Sequence, residues 1–245
     1  MVRFLRWSRF LAVPLALFAA SCGGDDPTDT TRDLSILGGN AQTAAAGTAV
    51  GLPPLVKVEN SSGEGVSGAT VTFAVASGGG TVTGGVQTTS AVGVAILGGW
   101  TLGRTPGPNT LMVTVDGSTS TVTIGAIGTV GPVTAFTKTA GDNQSATVNT
   151  AVVTKPAVRL TDQFGNPAAG VAIDFTVTGG GGTITGAFQT TDAQGIATLG
   201  SWTLGPTNGV NRLSASIELY EYGGLPQPVE FTANGTETLV QQRKK

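Results

Sequence analysis

Along much of the chain, apolar and polar residues alternate one for one. Val71, Phe73 and Val75 take one phase of a run in which Thr70, Thr72 and Ala74 take the other. Val56 with Val58, and Leu111 with Val113 and Val115, keep the same rhythm, and Ile173, Phe175 and Val177 repeat it further on. A period of two puts successive side chains on opposite faces of an extended backbone, so these runs predict strands with one face buried. Turn-forming clusters separate them: Asn60 to Gly68, Gly78 to Gly80, Ser90 to Gly93 and Gly103 to Asn109. Strands recurring every ~8 to 12 residues between such turns predict an all-β fold of antiparallel sandwiches.

One run changes phase. Its apolar positions pass through Ala95 and Leu97, then resume at Trp100 and Leu102, a slip of one residue at Gly98 and Gly99. The same slip recurs at Gly200 and Ser201, before Trp202. An extra residue in one strand returns the side chains beyond it to the inward direction, so the slip predicts a β-bulge that turns both tryptophans into the core.

That recurrence belongs to a larger one. Shifted by 102 positions, Gly39 to Val115 superimposes on Gly141 to Ile217 without a gap, with about 34 of the 77 positions identical. The chain is a tandem duplication, read as one domain over residues 34–128 and a second over 133–235. The offset grows to about 107 between Val115 and Val122, where the second copy carries the insert "ELYEYGGLPQPVE". Both tyrosines of the protein, Tyr220 and Tyr222, lie in it with Leu225. Tyrosine offers a large amphipathic contact at low entropic cost, which makes these three residues the candidate partner contact. The competing role is packing against the first copy to stiffen the junction. With the tryptophans buried, Tyr220 and Tyr222 are the aromatics expected to stay exposed in the domains.

Composition narrows the chemistry. Only 11% of the residues are charged, the formal net charge is -2, and there is no histidine. No basic stripe exists to neutralise phosphates, and the cluster Arg243, Lys244 and Lys245 lies in a C-terminal tail over 236–245, so nucleic acid is not an expected partner. Without histidine there is neither a Ser/His/Asp nor a Cys/His arrangement. Asp174 and Asp192 are the carboxylates weighed as a glycosidase-like pair, but no spacing supports it and Thr72 stands opposite Asp174 in the duplicate. Asp162, Asn166 and Asp192 are conceivable oxygen ligands for Ca²⁺, though Asp and Asn in turns accept backbone hydrogen bonds without any metal. The run Gly179 to Gly182 lacks the lysine of a phosphate loop and reads as a turn. The expectation is a non-enzyme with no cofactor and no metal, and a monomer.

Arg3, Arg6 and Arg9 precede an uncharged stretch from Phe10 to Ala20, closed by Ser21 and by Cys22, the one cysteine of the protein. A basic start, a short apolar stretch and small residues predict a secretory signal peptide over 1–21. Gly23, Gly24, Asp25 and Asp26 offer no core for a buried thiol, and an intermolecular disulfide would also suit an exported protein with an odd cysteine. Asp, Pro and Thr dominate the next residues, so 22–33 reads as a disordered tether.

Two resemblances add to this. Small residues running into Cys22 resemble the lipobox of bacterial lipoproteins, although that family prefers Leu where Ala19 stands. The resemblance implies acylation of Cys22 and a membrane anchor, and Gly23 in place of Asp resembles enteric lipoproteins of the outer membrane. In the second copy, "LTDQFGNPAAGVAIDFTVTGGGGTITG" followed by "TTDAQGIAT" and "WTLG" resembles the group 1 bacterial Ig-like domain, the module repeated in invasin and intimin adhesins. The first copy departs from it at Asn60 to Gly65, against Asp162 to Pro167, a difference confined to a loop. The resemblance implies two immunoglobulin-like sandwiches used as a surface module for adhesion, or as a spacer, with a protein or glycan ligand. A carbohydrate-binding accessory protein is the alternative.

Overall fold

The computed structural model describes residues 30–217 and 226–237. The first copy contains β1 (Asp33–Gly38), β2 (Gln42–Ala45), β3 (Leu55–Glu59), β4 (Thr70–Ser77), β5 (Thr81–Thr83), β6 (Val86–Thr88), β7 (Val94–Ile96), β8 (Gly99–Thr101), β9 (Gly107–Val115) and β10 (Thr121–Thr129). The second repeats it with β11 (Val133–Ala140), β12 (Gln144–Thr147), β13 (Ala157–Asp162), β14 (Ala172–Gly179), β15 (Thr183–Thr185), β16 (Phe188–Thr190), β17 (Ile196–Thr198), β18 (Ser201–Thr203), β19 (Gly209–Ile217) and β20 (Val229–Thr236).

In each copy a three-stranded sheet faces a five-stranded one. The orders are β1-β3-β7 and β2-β10-β9-β4-β6 in the first, β11-β13-β17 and β12-β20-β19-β14-β16 in the second. Most neighbours run antiparallel, but β2 lies parallel to β10, from Gln42 beside Ala126 to Ala45 beside Thr129. The alternation read from the sequence is the alternation observed: Val56, Val58, Val71, Phe73, Leu111, Val113 and Val115 are buried in one cluster. Val158, Leu160, Ile173, Phe175, Leu213 and Phe231 are buried in a second, separate cluster. This is the pair of all-β sandwiches that the pattern predicts, with the immunoglobulin-like fold that the resemblance implies.

Trp100 and Trp202 are fully buried, as expected, but no bulge puts them there. β7 ends at Ile96 on the three-stranded sheet, and β8 begins at Gly99 in a separate ribbon with β5, where Trp100 pairs with Val82. The chain therefore changes sheets across Leu97 and Gly98, and the phase slip marks a crossing between strands. Glycine is required there because the backbone passes close to the turn after β5. A Cβ on Gly98 would lie 2.8 Å from the Thr83 carbonyl oxygen, and one on Gly200 would lie 2.6 Å from that of Thr185.

Each sandwich has a leading end, where the chain enters, and a trailing end. The loop between β3 and β4 lies at the leading end of the first module, since Asp33 pairs with Glu59. The turn after β2, the β4–β5 turn and the β8–β9 turn lie at its trailing end, where β10 departs into the linker 130–132.

Candidate functional site: the junction between the modules

The residues that join the modules begin with one buried carboxylate. Asp162 closes β13 and is only 2% exposed. Its Oδ1 accepts the N–H groups of Phe164 at 2.9 Å and Asn166 at 3.0 Å, folding 162–166 into a tight turn. Its Oδ2 accepts the side-chain Nδ2 of Asn166 at 2.8 Å and the N–H of the linker residue Gly131 at 3.1 Å. One side chain thus shapes the loop and fastens the linker to it. Burial alone would raise the pKa of Asp162. The hydrogen bonds from the Asn166 amide and from the N–H groups of Gly131, Phe164 and Asn166 outweigh that, and hold the carboxyl below its ordinary value of 3.8.

The loop so formed aims two side chains at the trailing end of the first module. Asn166 donates from Nδ2 to the carbonyl oxygen of Arg104 at 2.7 Å. The Phe164 ring lies under the Arg104 guanidinium, 5.5 Å from carbon to ring centre, a cation–π arrangement. The ring edge rests on Gly47, where an added Cβ would lie 2.5 Å from Cε2 and Cζ. Gly47 is therefore fixed twice, by this close approach and by its φ of 72°.

Buried polar groups hold both halves. Asn109 accepts the N–H of Gly103 at 2.9 Å and donates to the Gly107 carbonyl at 3.1 Å, pinning the turn that carries Arg104. The N–H of Gly47 donates to the Gly103 carbonyl at 2.8 Å, tying the two receiving segments together. On the other side, Thr191 Oγ1 accepts the N–H of Val171 at 2.9 Å and donates to the Ala168 carbonyl at 2.7 Å, anchoring the base of the loop. A cleft of about 220 Å³ remains between the modules, lined by Gly47, Gly80, Leu102 and Arg104 on one side and Phe164 on the other. A second, of about 190 Å³, lies beside the linker between Val130, Gly131, Pro167 and Val171.

The structure treats the residues singled out in the sequence differently from one another. Cys22, Tyr220, Tyr222 and Leu225 lie outside the described residues; β19 and β20, which flank the tyrosine insert, pair antiparallel, Ala215 opposite Val229. Asp162 and Asn166 are brought together, but as a turn with each Asp162 oxygen already accepting two hydrogen bonds. Asp192 stands apart in another turn, its Oδ1 accepting the N–H groups of Gln194 and Ile196, both at 2.9 Å. Among the described residues, no group of three or more His, Cys, Asp or Glu side chains is placed to hold a metal ion. Asp174 lies on β14, opposite Ser216 and Phe188. Gly180 and Gly181, at φ 84° and 73°, make the turn between β14 and β15.

Two features were missed. Arg104, Gly47 and Phe164 carry no sequence signal of their own, because their contact joins residues 60 to 117 positions apart. Phe188 is 72% exposed, so the tyrosines are not alone as candidate surface aromatics of the domains. It lies on the edge strand β16, in the outward phase with Thr190, where Val86 stands in the first copy. That outward phase was the signal available.

No protein-family model matches the chain, and no curated protein does. Solved structures do. The Escherichia coli adhesin FdeC aligns over 84% of this chain and 65% of its own at 20% identity, with a TM-score of 0.51. InvD of Yersinia pseudotuberculosis aligns over 85% of this chain and 57% of its own at 18% identity, with a TM-score of 0.47. Invasin, a bacterial integrin-binding protein, aligns over 85% and 40% at 21% identity, with a TM-score of 0.40. This chain thus spans just under two thirds of the FdeC structure, and at these identities the likeness concerns the fold.

Proposed function

We propose, on the premise that the chain is built from two modules of the fold found in adhesin immunoglobulin-like domains, that it is a non-catalytic envelope protein. It is exported, anchored through lipid on Cys22, and serves as an adhesion-type surface module or spacer. The observation that carries this reading is the docked junction. Asp162 fastens the linker, and Phe164 with Asn166 seats the second module on the first, so the pair presents its outer end in a fixed direction. Such a device suits a protein that must hold a surface away from a membrane. Metabolic labelling with a clickable palmitate, comparing the wild type with Cys22→Ala, tests the anchor. Label on the wild type alone is expected, and an unlabelled wild type removes the anchor from the reading.

One observation favours the carbohydrate-binding alternative. Phe188 presents an exposed ring beside Asp174, whose carboxylate accepts the Thr176 hydroxyl at 3.4 Å, and Ser216 lies on the same row. A ring face with neighbouring oxygen groups suits the apolar face and hydroxyls of a pyranose. A glycan array run with the wild type and Phe188→Ala decides it. Binding lost in the variant adopts this reading, and no binding by the wild type discards it.

A further inference from the structure

We infer that the order of the two modules is written into their end surfaces: the loop Asp162 to Pro167 is a plug that fits the trailing end of the first module and no other end of the pair. This goes beyond the spacer reading and does not depend on export or lipid.

The duplication supplies its own control. The leading loop of the first module has the same backbone as the plug. Asn60 Oδ1 accepts the N–H groups of Ser62 at 3.0 Å and Glu64 at 2.9 Å, as Asp162 does for Phe164 and Asn166. Gly63 has φ 78° where Gly165 has 82°. Only the side chains at the tip differ, and each difference removes a docking contact. Ser62 replaces the Phe164 ring. Glu64 replaces Asn166, so an acceptor would meet the carbonyl that the Asn166 amide serves. Asn60 replaces Asp162, and its Nδ2 already donates toward Glu64 Oε2 at 3.4 Å, leaving no second acceptor for a linker N–H.

The trailing ends differ in the complementary way. Asn149 occupies the place of Gly47 and keeps its backbone, with φ 59° against 72° and the same bond to the following turn, Asn149 N–H to the Gly205 carbonyl at 3.3 Å. A side chain thus stands where the plug ring must touch bare backbone. Pro206 occupies the place of Arg104, so no guanidinium covers a ring there. The outer ends of the pair therefore carry neither half of the joint. The partner fitted to the trailing end of the first module is a module bearing Phe, Gly and Asn behind a turn-forming Asp. Specificity of this kind comes from unfavourable pairings at the wrong ends as much as from favourable ones at the right end.

The test compares four full-length chains: the wild type; Phe164→Ser/Asn166→Glu, which gives the plug the tip of the first copy; Gly47→Ala, which attacks the same contact from the socket; and a chain with the two modules exchanged in order around the same linker. Residual dipolar couplings report whether the modules share one alignment tensor, and the amide spectrum confirms that each module is folded. One shared tensor is expected for the wild type, and two unequal tensors for the other three. Carrying Asn60→Asp, Ser62→Phe, Glu64→Asn, Asn149→Gly and Pro206→Arg into the exchanged chain is expected to restore a single tensor. Separate tensors in the wild type, or an exchanged chain coupled as tightly as the native one, overturn the inference. Neither result touches the palmitate experiment.

Discussion

Asp162 concentrates the chemistry of the joint in four hydrogen bonds to one carboxylate, and its protonation state has a measurable consequence. Its pKa is depressed in the folded protein, so the stability it contributes is complete above the ordinary carboxylate value of 3.8 and is lost as the pH falls through the folded-state pKa. Asp162→Asn puts a donor group where two N–H groups need an acceptor. The expected cost at neutral pH is about 2 kcal/mol, measured by urea unfolding of the second module. In acid the gap between wild type and variant should narrow, and a gap that stays constant from about pH 7 to about pH 3 would refute the assignment. At this scale the sequence was half legible. The turn-forming role of Asp162, Asn166 and Asp192 follows from residue type and spacing alone. That Asp162 also holds Gly131 does not, because the partner is a backbone N–H 31 positions away, with no side-chain signature.

Among the strands, alternation identified the buried face wherever a strand stays on one sheet. It failed in kind at Gly98 and Gly200, since a bulge and a change of sheet both shift the apolar phase by one. What separates them is close backbone approach from a distant segment, here Thr83 and Thr185, which no local period encodes. The conclusion that mattered survives the correction, since both tryptophans are in the core. Trp202→Ala should cost the second module about 3 to 5 kcal/mol, a large share of the ~5 to 15 kcal/mol that holds a domain together. Because the two hydrophobic clusters are separate, calorimetry should show one transition shifted downward and the other unmoved. Two transitions that move together would mean that the modules unfold as one unit.

For the whole molecule, the duplication was fully legible, because identical residues recur at a constant offset. The joint between the copies was visible only as a difference: Asn60 to Gly65 against Asp162 to Pro167 looked like loop variation that left the fold intact. It is where the copies have parted in role. Similarity between repeats reports the shared sandwich, whereas the departures report what each copy does to its neighbour. The tyrosine insert, the other large departure and a second candidate for stiffening the junction, lies outside the described residues. Mutating the loop, the socket and the tyrosines separately would show how the joint divides among them.

The parallel pairing of β2 with β10, repeated by β12 with β20, bears on mechanics. Each pair runs in the same direction; β10 and β20 end where the chain leaves its sandwich, and β2 and β12 follow the first strand of each module. Tension applied between the two termini of a module would therefore load their hydrogen bonds in shear, all rungs at once, instead of peeling them apart singly. Stretched by flow or by a moving surface, a module would resist through that clamp together with the pairing of its first strand, β1 on β3 or β11 on β13.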